Sequence, residues 1–411
     1  MIASELRDAP LPELPPGYEL LEPAPERKGQ WSGPDGVRVG VLLKRTYEDD
    51  GRGGLTLADA PVPLFDAPFP WSESASGEDP PPASDEDTLA LRPGTDVVVQ
   101  GSAYAPGGRA REGWVRFEGA GLKREIRVFG DRRLERTPGG AWRIAEPAGF
   151  TSIPLRYDRA YGGHDARALA RHGDPQAELM ELIDPELASG PGLYHYPRNP
   201  AGTGYVVDAD DETLAELRLP NFEFPFDPLT VERLVAGRVE RWIRRPLPAA
   251  LDWVGSAWFP RVAYLGIRRP HDLGDAPPAE VLGRWAAPDL MQIESPLKSG
   301  RPPRLEFHQG ASPGMTLARL RPDAAFRIEG MSADGGVHTV RLPGEWPEVE
   351  LRTGPETLKA APHLNSVCMD REAGTLMLVW CATARVERPL SPVEIAGMET
   401  IVTWRSADRW G

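Results

Sequence analysis

The sequence predicts a mainly β protein, built from β-sandwich-like subdomains with short helices and many Pro/Gly-rich loops. Three observations predict it. First, the 411 residues include 45 Pro and 43 Gly, well above the roughly 5% and 7% of average chains, so short elements joined by many turns are favoured. Second, the clearest apolar patterns run at period two, as in Val37, Val39, Val41 and Leu43, and again in Leu376, Leu378, Trp380, Ala382, Ala384 and Val386. Third, helical periods are few and interrupted, as where Gly237 breaks the run of Val231, Leu234, Val235, Trp242 and Ile243.

In chain order, residues 1–30 are rich in Pro and Glu and read as an N-terminal arm, loose or lying along the surface. A main β-rich domain is expected over 31–270 and a β-rich subdomain over 271–411. Strand 37–47 opens the first. Residues 72–88, SESASGEDPPPASDEDT, hold too little apolar surface to offset chain entropy, so a mobile acidic loop is expected there. Strands follow at 96–104, 112–118 and 122–129, the last two joined as a hairpin by Glu118-Gly119-Ala120-Gly121. Residues 164–187 predict one or two short helices or an ordered insert, 231–243 a helix weakened by glycine, and 278–287 a short helix. Strands are expected at 304–308, 315–320, 325–330, 337–342, 347–352 and 375–386.

The stretch His195–Phe226 has the most restricted backbone. Two turn-rich segments, Tyr196–Gly204 and Leu219–Pro225, flank an acidic spacer, and their Pro, Gly and Asn residues set angles that other residues avoid. The spacer cluster Asp208, Asp210, Asp211 and Glu212 reads as a solvated turn.

A net charge of −14 argues against nucleic acid and anionic membranes as partners. Two cysteines, Cys368 and Cys381, make no disulfide framework. The first twenty residues lack a signal-peptide pattern, and no run of 18 apolar residues occurs, so a cytoplasmic location is expected. No cofactor or metal is expected: the seven histidines show no HxxxH or HxH spacing, and the chain has no CxxC. There is no GxSxG elbow and no phosphate loop, and Cys368 and Cys381 read as small buried residues. A hydrolase acting on glycan or peptide would need carboxylates or a His-activated nucleophile converging near Asp158, His164 or Asp208. What stands out instead is Trp and Arg in loops, the types that dominate protein–protein contacts.

An ordered series of segments runs through Val41–Tyr47, Arg92–Gly108, Val128–Arg132, Tyr157–Gly163, Arg198–Gly204, Leu219–Glu223 and Trp258–Arg261. This series resembles the Domain of Unknown Function 2169 family of bacteria. The C-terminal part is less similar: Phe307–Gly314, Leu364–Val367 and Val379–Cys381 depart from the family pattern at polar positions. The resemblance implies a non-enzymatic adaptor or chaperone of type VI secretion. Such a protein binds a toxin effector or a PAAR-like spike-tip protein and assists its loading onto the spike. A structural component retained in the secretion particle is the alternative, with the hydrolase behind it. Arg198, Asn199, Asn221, Phe222, Trp258 and Arg261 are then the candidates, either contacting the partner or bracing a platform in which Arg198–Gly204 and Leu219–Glu223 meet.

Overall fold

The fold is organised around two long antiparallel strands from opposite ends of the chain. Gly36–Asp49 pairs with Thr375–Val386 in a continuous register from Val37↔Val386 to Glu48↔Thr375. The computed structural model describes residues 26–33, 36–50, 53–72, 74, 80–87, 92–172, 194–207, 209–235, 245–259, 261 and 305–406. Among these, strands predominate and the α-helices are short: Ala166–His172, Asp211–Glu216, Val231–Val235 and Pro392–Gly397.

The long pair lies within a nine-stranded sheet whose main path also takes in Glu26–Gly33, Glu356–Asp370, Glu345–Thr353 and Glu399–Ser406. Period two explains the two faces. Val39, Val41 and Leu43 join Leu376, Leu378, Trp380, Ala382 and Ala384 in the main core. The intervening Leu42, Val379 and Cys381 are also buried, on the other face, beneath Leu64. Strand Glu356–Asp370 shifts register between Leu364 and Ser366 against its neighbour. Such a bulge increases local twist, and this strand pairs with Glu345–Thr353 by its first half and with Thr375–Val386 by its second. Thr95–Gln100 joins it in parallel and is buried throughout.

The expected hairpin forms the centre of a second sheet of five strands: Glu112–Gly119 and Leu122–Phe129, with Ala325–Glu329 and His338–Arg341 on one side and Phe222–Glu223 on the other. Its turn puts Ala120 and Gly121 at φ 50° and 86°, the left-handed pair that a two-residue hairpin requires. Both sheets combine strands from either side of residue 270, and the expected boundary at 270/271 lies outside the described residues.

Several expectations change. Residues 26–30, the end of the expected arm, belong to an edge strand of the large sheet, Glu26–Gly33. Leu305–His308 is a turn of 3-10 helix, not a strand: four residues of alternation are too few to specify a ladder, and Leu305 stays exposed. The 315–320 strand shrinks to Thr316–Leu317. The acidic spacer is a helix, Asp211–Glu216, because the Asp210 side chain accepts the Thr213 amide at 2.7 Å and caps it, and its acids sit in the first turn. The end of the expected acidic loop is ordered and inward-facing: Pro82–Ser84 is a strand, and Asp85 and Asp87 are buried with cationic partners. The helix expected at 278–287 lies outside the described residues, as do 173–187 and 236–243.

Candidate functional site

The two turn-rich segments converge on a third, Tyr157–Gly163. From one side, Asn199 Nδ2 donates to the carbonyls of Tyr157 (2.7 Å) and Tyr161 (3.1 Å). The Gly163 amide donates back to the Asn199 carbonyl at 2.8 Å, and Tyr161–Gly162 pairs in parallel with Thr203–Gly204. From the other side, the Asn221 amide donates to Arg159 O at 2.8 Å. The Asn221 side chain donates to Phe129 O at 3.0 Å and accepts from Arg159. Phe222 bridges Ala160. The approach demands glycine: a Cβ on Gly162, at φ 153°, would stand 2.1 Å from the Asn199 carbonyl oxygen. The two halves of the His195–Phe226 stretch thus meet as one platform.

Its side chains face inward. Arg198 and Asn199 are 0% exposed, and Asn221, Phe222, Trp258 and Arg261 are buried as well. Arg198 donates to the Tyr196 hydroxyl at 3.2 Å, and burial raises the Tyr196 pKa against the pull of that guanidinium. Trp258 sets its edge on Tyr157, centroids 5.4 Å apart. These five side chains brace the platform, because Asn can satisfy turn carbonyls that strands would otherwise pair.

Arg261 lies in a separate cluster with Asp85, Arg92 and Asp96. It donates to Asp85 (3.0 Å) and to the carbonyls of Val254 (2.9 Å) and Phe307 (3.0 Å). Burial works against the Asp85 carboxylate, but the guanidinium groups of Arg261 and Arg92 hold its pKa below the usual value.

Above the platform a depression of about 240 Å³ has a floor of Gly162, Gly163 and Gly202. The charged groups on it are engaged within the fold: Arg167 pairs with Glu212 and Glu216, and Asp165 accepts the amides of Ala168 and Val207. Of the positions where a hydrolase would need converging groups, Asp158 is buried against Arg156 at 2.9 Å. His164 packs its ring 5.0 Å from that of His195. Asp208 lies outside the described residues. Burial pushes the Cys381 thiol up to about 12 and that of Cys368 well above its usual value, which disfavours the thiolate a nucleophile needs. Among the described residues, no three His, Cys, Asp or Glu side chains group as metal ligands, and no helix is long and apolar enough to cross a membrane.

Two other places carry exposed or unusual chemistry. On the solvent face of the five-stranded sheet, Trp114 is 40% exposed. The guanidinium carbons of Arg116 and Arg127 lie 5.7 and 5.6 Å from its ring centroid. Around it are the cross-strand pairs Arg116–Glu125 and Lys123–Glu118. The sequence held a signal for this face: in strand 112–118 the aromatic Trp114 falls in the same period-two register as Glu112, Arg116 and Glu118.

The other is Asp252, fully buried, which accepts from Gln100 Nε2 (2.7 Å), the Trp253 amide (2.8 Å) and Trp71 Nε1 (3.1 Å). Burial pushes its pKa up to about 7, and those donors restrain the rise. An acid whose folded pKa is raised keeps its proton after the unfolded chain has lost it. The stability linked to this proton is therefore fully present below about 3.8 and is lost as pH rises to about 7. Chemical denaturation of Asp252→Asn is expected to show a flatter stability profile than wild type between these limits. An unchanged slope would assign the effect elsewhere.

No curated protein and no solved structure matches the chain. The family model described as "Uncharacterized protein conserved in bacteria (DUF2169)" matches residues 35–381, a span that contains the long strand pair up to Cys381, the five-stranded sheet and the whole platform. The chain therefore belongs to this family.

Proposed function

We propose that the protein is a non-enzymatic adaptor of type VI secretion. It acts in the bacterial cytoplasm, binding a toxin effector or a PAAR-like spike-tip protein and assisting its loading onto the spike. The secretion setting rests on the ordered segments from Val41 to Arg261 that resemble such adaptors. The observation that carries a docking role is the Trp114 face. A half-exposed indole between two arginines, on a sheet held rigid from behind, combines the two residue types most enriched at interface hot spots. The buried platform supplies the rigidity, and contact with the partner is made by the sheet face. Of the two roles expected for Arg198, Asn199, Asn221, Phe222, Trp258 and Arg261, contact or bracing, this reading takes bracing.

The test is a pull-down with the product of the adjacent gene, expected to be a PAAR-like protein or a toxin. Trp114→Ala combined with Arg127→Glu is expected to weaken capture at least about tenfold, a loss of about 1.4 kcal/mol or more. Stability should fall by no more than about 1 kcal/mol, because the Arg127–Glu112 pair that is lost lies on the solvent face. Full binding by the double variant would reject this face, and neighbouring genes of purely metabolic type with no captured product would reject the adaptor.

A further inference from the structure

Residues 62–71 and 80–87 lie over the outer face of the large sheet, whereas Leu55–Leu57 pairs within the sheet itself. Leu64 packs on Leu42, Val379 and Cys381. Lys44 Nζ, rising from the sheet, donates to Pro63 O (2.9 Å) and Asp87 (2.8 Å). The Phe65 amide donates to the same carboxylate at 3.0 Å. Between this cover and the sheet is a cleft of about 270 Å³. Phe65, Phe69, Trp71 and Trp253 line it from one side, and Met377 and Val379 from the sheet. The walls are anchored: Phe65 stacks on Phe69, and Trp71 is tied to Asp252.

The polar groups of the lining decide what the cleft accepts. Lys44 is neutralised by Asp87. Asp85 is held by Arg92 and Arg261. Asp370 accepts two backbone amides. Gln100 is engaged with Ala83 O, Asp252 and the Cys368 thiol. A charged ligand would therefore be desolvated here without a counter-charge, which is costly. An engineered apolar cavity of about 150 Å³ takes up benzene, so this cleft fits an apolar body on the order of ten non-hydrogen atoms.

We propose that the cleft is a binding site for a small, uncharged aromatic ligand, held among Phe65, Phe69, Trp71 and Trp253. None of the residues of the Trp114 face lines it, and the proposal stands whether or not the adaptor reading does. The experiment is calorimetric titration of the full chain with 2-naphthol, and with naphthalene as the partner lacking the hydroxyl. One-site binding of 2-naphthol at about 1 mM or tighter is expected, within the range of ligand efficiencies for so small a molecule. Met377→Trp should abolish binding of both by filling the cleft. If that variant fails to fold, Ala373→Trp, at an exposed position of the lining, takes its place. Absence of saturable binding to the wild-type chain, or full binding to the filled variant, would overturn the proposal.

Discussion

Replacing Arg92 by Ala is expected to lower the unfolding free energy by about 3–5 kcal/mol, the usual cost of breaking a buried ion pair from one side. Arg92 donates to Asp85 at 2.8 Å, to Glu86 O at 2.9 Å and to Asp96, and the charged side chains are at most 2% exposed. Asp96 also accepts from the Gly310 amide (2.8 Å), Gln309 (2.7 Å) and Thr316 (2.8 Å). Removing the guanidinium leaves two carboxylates in the interior with Arg261 alone as counter-charge. Urea denaturation checks the size of the effect. The control is Arg116→Ala, which breaks pairs on the solvent face and should cost within about 1 kcal/mol. Acid supplies a second reading. The Asp85 carboxyl is held below its usual pKa, so the stability it contributes is present above about pH 4 and is lost as pH falls through the depressed value. In Arg92→Ala that acid-dependent loss should shrink. A variant as stable as wild type would mean that water or a rearranged Arg261 replaces the guanidinium.

Asn199→Ala is expected to cost about 1–3 kcal/mol, because it removes the side-chain donor of the buried Tyr161 carbonyl, while the Tyr157 carbonyl keeps the Ala160 amide. Asn199→Asp should be worse than Ala, since it sets a carboxylate against two carbonyl oxygens. Gly162→Ala should act on the same contact from the other side, its methyl group meeting the Asn199 carbonyl. All three should expose the amides of the 157–163 and 198–205 segments to hydrogen exchange, because those segments share one set of hydrogen bonds. The partner-binding reading of Asn199 predicts a different pattern, with unchanged exchange and lost capture. Capture that falls only in step with the folded fraction would establish bracing.

The long alternating strands were legible because burial on a sheet imposes period two directly on the sequence. Thr375–Val386 and the 112–129 hairpin appear close to where the pattern puts them. Strand Glu356–Asp370 was not legible: Pro362 and His363 interrupt its apolar run, and its bulge at Asn365 breaks the alternation. Strand Glu399–Ser406 is a partly exposed edge, which needs no strict pattern. Asp85 and Asp87 read as solvated because composition counts charge and cannot see a counter-charge: Lys44 is 43 residues from Asp87, and Arg261 is 176 from Asp85.

By itself the sequence determined the β class and the principal strands, which follow from local periodicity; the family came from the ordered segments between Val41 and Arg261, and the meeting of the two turn-rich segments was an expectation that the structure had to show. Only the tertiary structure decided which polar residues are inside. It placed all six candidate residues in the interior, left Trp114 half-exposed on the five-stranded sheet, and opened a cleft beneath residues 62–71 and 80–87. The reason is physical: a side chain's burial and partners are set by segments distant in sequence, and no local pattern encodes them.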